Sequence, residues 1–183
     1  MINKEQLKEL HIGEMIKNIA RKKEISSRDI ANTLSTYRQN SDKIFRMDDM
    51  NIEDLIRISY LFKHNFLHYI VKEFIPHLSF SVSVSEPDNC LKAVDMESTH
   101  FIDDQSTTNC DFLNQILVGV EIKKVADKNN WNGQKVAEIL NCTPAMLCYL
   151  YHRKSVRVKK LLEVSDAFQY DFISNVYLSR ICI

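Results

Sequence analysis

The sequence predicts a mainly α-helical protein, built as two equivalent five-helix domains joined by a segment holding a short β-strand or hairpin. Three observations carry this. The composition is that of a folded, helix-leaning chain: 45% apolar, 26% charged, with only three glycines and three prolines in 183 residues. The sequence overlies itself without a gap when shifted by 106 positions, so that residues 11–69 meet 117–175. One stretch, LSFSVSVSE, alternates apolar and polar residues with period two. The expected boundaries are 1–76 for the first domain, 77–109 for the strand-bearing acidic linker and 110–183 for the second domain.

The repeat rests on eleven identities, among them Gly13/Gly119, Ala31/Ala137, Leu34/Leu140, Ser59/Ser165, Phe62/Phe168 and Phe66/Phe172. Elsewhere one apolar group replaces another, as in Ile30/Val136, Ile44/Leu150 and Ile58/Val164. Two copies of this length are too few for a solenoid, which needs several stacked repeats.

In the first copy Leu7, Leu10, Ile16, Ile19 and Ala20 form one apolar stripe and predict one helix. ISSRDIANTL starts a second, with Ser26 or Ser27 as the cap and Asp29 favouring the positive end of the helix dipole. A third is expected from about Arg38 to Arg46. A fourth carries Ile52, Leu55, Ile56 and Ser59, and a fifth, HNFLHYIVKEFI, turns Phe66, Ile70 and Phe74 inward. The second copy repeats the plan. Thr143 followed by Pro144 marks a helix start there, a capping hydroxyl before a proline whose missing N–H costs nothing. Between the copies, Leu78, Phe80, Val82 and Val84 alternate with serines, EPDN reads as a turn and CLKAVDM as a returning strand.

Formal net charge is zero, but it is unevenly placed. Residues 1–70 hold 12 basic and 10 acidic side chains, 71–110 hold 2 and 7, and 111–183 hold 10 and 7. The five cysteines form no close pair; Cys142 and Cys148 are expected to be small core residues in a reducing, cytoplasmic setting. No apolar run approaches the roughly 20 residues of a membrane span. Enzyme chemistry finds no support: there is no phosphate-cradling glycine loop, no nucleophile with a base, and no cofactor or metal set. His64 and His68, four apart, read as half-exposed residues on one helix face.

Ala31 and Ala137 are small where two steeply crossing helices approach, and a short turn and another apolar-faced helix follow in both copies. In these stretches, ISSRDIANTLSTYRQNSDKIFR and WNGQKVAEILNCTPAMLCYLYHR, the chain resembles the lambda-repressor-like, Cro/C1-type (XRE) helix-turn-helix proteins, present as two tandem copies. DLIRISYLFKHNFLHYI and KLLEVSDAFQYDFI are similar to that family's closing helices. The chain departs from the pattern where Ser35 and Asn141 replace the usual turn glycine, where Ser27 and Gly133 replace a glutamine, and where Ser41 replaces an inward aliphatic.

The resemblance implies a non-enzymatic transcriptional regulator that reads double-stranded DNA with the third helix of each copy. It places Arg38, Gln39, Asn40 and Lys43 toward bases, and that chemistry suits guanine and adenine edges. Arg28, Lys43 and Arg46 are phosphate candidates, opposed by Asp42, Asp48 and Asp49. In the second copy, Pro144, Ala145, Met146 and Tyr149 make a face poor in base-edge donors. Basic Arg153, Lys154, Arg157, Lys159 and Lys160 follow it. That copy is expected either to rest on phosphates or to pair with a protein. One chain covering two half-sites and a homodimer built on the central strand are both open. The alternative function is a protein-interaction module that keeps the fold without DNA binding.

Overall fold

The computed structural model describes residue 2 and residues 4–35, 43–81, 113 and 116–180. In the first half, α1 is Lys4–Glu9, α2 Ile12–Lys22, α3 Ser27–Thr33, α4 Ile52–Phe62 and α5 Phe66–Phe74. In the second, α6 is Val118–Lys128, α7 Gly133–Ile139, α8 Pro144–Tyr151 and α9 Val158–Phe168. A π-helical turn, Ile173–Tyr177, and a 3-10 turn, Leu178–Arg180, follow where the first half has α5.

The predicted linker strand is overturned. Pro76–Ser81 is a 3-10 helix continuing the chain out of α5, and no β-strand occurs among the described residues. A proline ring holds φ near the helical value, which suits Pro76 to open such a turn; the Leu78 N–H returns to Ile75 O at 3.0 Å, and Leu78 packs on the core. Period-two alternation says which residues share a side; it does not supply the neighbouring strand that a ladder requires. The remainder of the expected hairpin, 82–96, lies outside the described residues, as do 36–42 of the expected third helix.

The single stripe Leu7–Ala20 is also divided, with α1 and α2 breaking at Leu10 and His11. The break lets the Gly13 N–H reach Met47 O at 2.8 Å. Gly13 then lies against backbone: a Cβ there would sit 2.3 Å from Ile44 O and 2.7 Å from the Phe45 carbonyl carbon. Gly119 is in the same position, with a Cβ falling 2.3 Å from Tyr151 O. Its N–H points to Arg153 O at 3.3 Å.

Local chemistry sets the other boundaries. Ser26 caps α3 in a reciprocal box with Asp29, and Asn132 caps α7 by accepting from Lys135 N at 2.8 Å. Asn65 accepts from His68 N at 3.0 Å, and Asp171 from Ser174 N at 2.9 Å. Among the described residues, the six non-glycine residues with left-handed backbone are Glu24, Ser35, Lys63, Asn130, Asn141 and Gln169, three pairs each 106 apart. Edge-to-face rings recur as well, Phe62 on Phe66 at 5.7 Å and Phe168 on Phe172 at 5.6 Å.

Both halves feed one hydrophobic core. They meet along a short backbone seam. Asn51 and Arg157 form an isolated antiparallel bridge. Ile52 N donates to Val156 O at 3.1 Å and Val158 N to Met50 O at 3.0 Å. Beside them, Lys159 N donates to Asp49 Oδ1 at 3.1 Å, and Ile2 N to Asp166 Oδ2 at 2.8 Å. α5 packs on the π-helical turn, whose Tyr177 is fully buried.

Candidate nucleic-acid interface

The second half presents its helix pair completely. α7 ends at Leu140, and Asn141 takes the left-handed conformation (φ 47°) that redirects the chain. Thr143 Oγ1 then accepts from Met146 N at 3.3 Å, with Pro144 opening α8. Val136, Ala137, Leu147 and Leu150 are buried between the helices. The outward side of α8 carries Ala145, Met146, Cys148 and Tyr149, with Met146 61% and Tyr149 64% exposed. Cys148 is therefore a surface residue rather than the expected core one, because Leu147 and Leu150 already occupy the inward positions. Cys142 is half-buried and packs on the core.

At the end of α8 the Arg153 guanidinium lies over the Tyr149 ring, 4.4 Å from its centroid. Tyr149 and Arg153 were each legible as candidates. Their pairing was not, because Arg153 lies beyond the end of α8 and the chain's exit after His152 decides where its side chain falls. The basic cluster after α8 divides. Arg153 and Lys154 are exposed, whereas Lys160 pairs with Glu163 at 2.9 Å. Arg157 and Lys159 belong to the seam, their charges facing Asp49.

In the first half, Arg28 is exposed at the start of α3, and Lys43 and Arg46 are exposed near Gly13 and α2. Arg38, Gln39 and Asn40 lie outside the described residues. Two of the acids expected to weaken this face have other partners. Asp48 Oδ1 lies 2.6 Å from His11 Nδ1, and Asp49 turns into the seam. Burial pushes the carboxyls of Asp49, Glu53 and Asp54 above their ordinary values. For Asp49, the hydrogen bond from Lys159 N and the Arg157 charge offset part of that rise.

Among the described residues, no group of three or more His, Cys, Asp or Glu side chains could hold a metal ion. His64 precedes α5 rather than sharing its face with His68; it packs edge-on against Phe66 at 4.8 Å. Burial and the neighbouring Lys23 and Lys22 lower its pKa. Among the described residues no helix is long and apolar enough to cross a membrane. No family model, curated protein or solved structure matches the chain.

Proposed function

We propose that this protein is a non-enzymatic, sequence-specific DNA-binding regulator that docks the α7–α8 pair, and its counterpart in the first half, on duplex DNA. The observation that carries the reading is the outward side of α8. It is a short, Thr-capped helix after a left-handed turn, with Met146 and Tyr149 exposed and Arg153 and Lys154 at its end. Apolar side chains such as Ala145 and Met146 suit thymine methyl groups in a major groove. Arginine and lysine at the helix end suit phosphate. In the first half, exposed Arg28, Lys43 and Arg46 form the corresponding cationic set; the turning of Asp49 into the seam removes one opposing acid, while exposed Asp48 stays beside Arg46.

The test is fluorescence anisotropy on duplex DNA across a salt series. Each neutralised phosphate contributes about −0.9 to the slope of log K against log salt, so contacts from these five cations give a slope of roughly −4.5. Arg153→Ala and Lys154→Ala each reduce it by about 1, whereas Arg38→Ala and Asn40→Ala relax sequence preference more than they weaken non-specific binding. Binding that ignores salt, or no binding, rejects the reading. It would favour the interaction-module alternative, for which exposed Met146 and Tyr149 are the natural contact.

A further inference from the structure

The seam between the halves has a symmetry that constrains the DNA this protein would read. The bridge joins Asn51 to Arg157, and these two positions are themselves 106 apart. A rotation exchanging the halves therefore exchanges the two bridged residues. The same operation turns the bond from Val158 N to Met50 O, 3.0 Å, into the bond from Ile52 N to Val156 O, 3.1 Å, and both are present. It sets Ser155 opposite Glu53 as Asp49 stands opposite Lys159; Ser155 does lie beside the Glu53 carboxyl, but the bond from Lys159 N to Asp49 has no counterpart there. Contacts that map onto their own reverse define an isologous, twofold pairing; a head-to-tail pairing has no such reciprocity.

We propose that one chain reads one inverted-repeat DNA site, each half of the molecule taking one half-site, with the local twofold axis passing between Asn51 and Arg157. This rests on the DNA-binding reading and adds orientation, stoichiometry and asymmetry to it. The seam follows directly on α8 and, in the first half, on the described residues 43–47, so in sequence the axis lies next to Arg153 of one half and Arg46 of the other. A twofold relation between readers demands a twofold relation between half-sites, spaced by about one helical turn or a multiple of it. The halves present different side chains, Arg28, Lys43 and Arg46 against Met146, Tyr149 and Arg153, so the two half-site sequences differ.

Charge explains why the halves pair with each other rather than each with its own kind in a second chain. On the seam the first half bears Asp49 and Glu53, and the equivalent positions of the second half are Ser155 and Lys159. Pairing two first halves would set Asp49 beside a second Glu53. Pairing two second halves would set Arg157 against a second Arg157. Only the mixed seam is complementary, and like-charge juxtaposition is strongly disfavoured.

The test is selection of duplexes from a random library by the full-length chain, followed by native mass spectrometry of the selected complex. The expected result is an inverted repeat of two dissimilar half-sites carrying one chain. Direct repeats, a lone half-site, or two chains per site overturn the inference and leave the DNA-binding reading standing. Enrichment of no sequence overturns both. Asp49→Lys, which faces Arg157 and Lys159 with a like charge, should lower affinity for the two-half-site duplex by roughly 10²-fold, the avidity that linked half-sites supply. The charge exchange Asp49→Lys with Lys159→Glu should restore most of it. Equal loss in the single and exchanged variants, with both folded by circular dichroism, counts against a working seam.

Discussion

Replacing Gly13 by alanine sets two effects of opposite sign against each other. Helix propensity favours alanine over glycine by about 1 kcal/mol inside a helix, so a reading of α2 as an isolated helix predicts stabilisation. The packing predicts the reverse. The new Cβ would lie 2.3 Å from Ile44 O, 2.7 Å from the Phe45 carbonyl carbon and 2.8 Å from Phe45 O, where ordinary contact begins at 3.4 Å. These are backbone atoms that no rotamer change can move, so α2 or the segment around Ile44 must shift by about 1 Å, within the range where overpacking costs 1–3 kcal/mol. The shift also stretches the bond from Gly13 N to Met47 O. With the propensity gain set against the upper part of that range, a net loss of roughly 2 kcal/mol is expected. For a chain of this length that is a fall in Tm of roughly 4–8 °C. Gly119→Ala should behave alike, since its Cβ would meet Tyr151 O and Leu150 O at 2.3 and 2.4 Å. Gly133 supplies the control: the nearest atom to a Cβ there is Leu147 Cδ2 at 4.0 Å, so alanine should be neutral or stabilising. Urea and thermal melts followed by circular dichroism at 222 nm decide it. If all three variants shift stability in the same direction by the same amount, the close-approach argument fails.

Two further outcomes follow from buried polar groups. The Tyr177 hydroxyl is buried with no hydrogen-bond partner among the described residues, and burial together with the nearby Glu53 charge pushes its pKa well up. Tyr177→Phe should therefore leave stability unchanged or raise it by about 1 kcal/mol in a urea melt, and a loss above that size would reveal a partner for the hydroxyl. Asp49, Glu53 and Asp54 have carboxyl pKa values raised mainly by burial. A raised acid binds more protons folded than unfolded, so its contribution falls as pH climbs from the unfolded value of about 4 through the folded value. Asp49→Asn keeps an acceptor for Lys159 N, so its stability relative to wild type should rise with pH across that window and then level off. A difference that declines with pH would mean that attraction to Arg157 and Lys159 outweighs burial.

Much of this architecture was legible because it is local. Ser26 with Asp29, Asn132, and Thr143 with Pro144 announce helix starts through bonds spanning three residues. Inward positions such as Ile30, Ala31, Leu147 and Leu150 follow from helical period alone. Several candidate cations could likewise be placed in advance, since Arg28, Lys43, Arg46, Arg153 and Lys154 are exposed. Period misled where a second partner decides the outcome. The alternation beginning at Leu78 found no neighbouring strand among the described residues, and its start folded as a 3-10 turn after Pro76.

By itself the sequence determined a helical chain with a register repeating at 106 residues, together with the caps, inward faces and turn positions that nearest neighbours dictate. Only the tertiary structure decided that Asn51 meets Arg157, that Asp49 leaves the cationic face for the seam, and that Gly13 and Gly119 press on backbone. The physical reason is the range of the interactions. A cap or an apolar stripe is satisfied within a turn or two of its own helix. A backbone bridge or a carbonyl at 2.3 Å depends on where distant segments come to rest, and helical period carries no record of that.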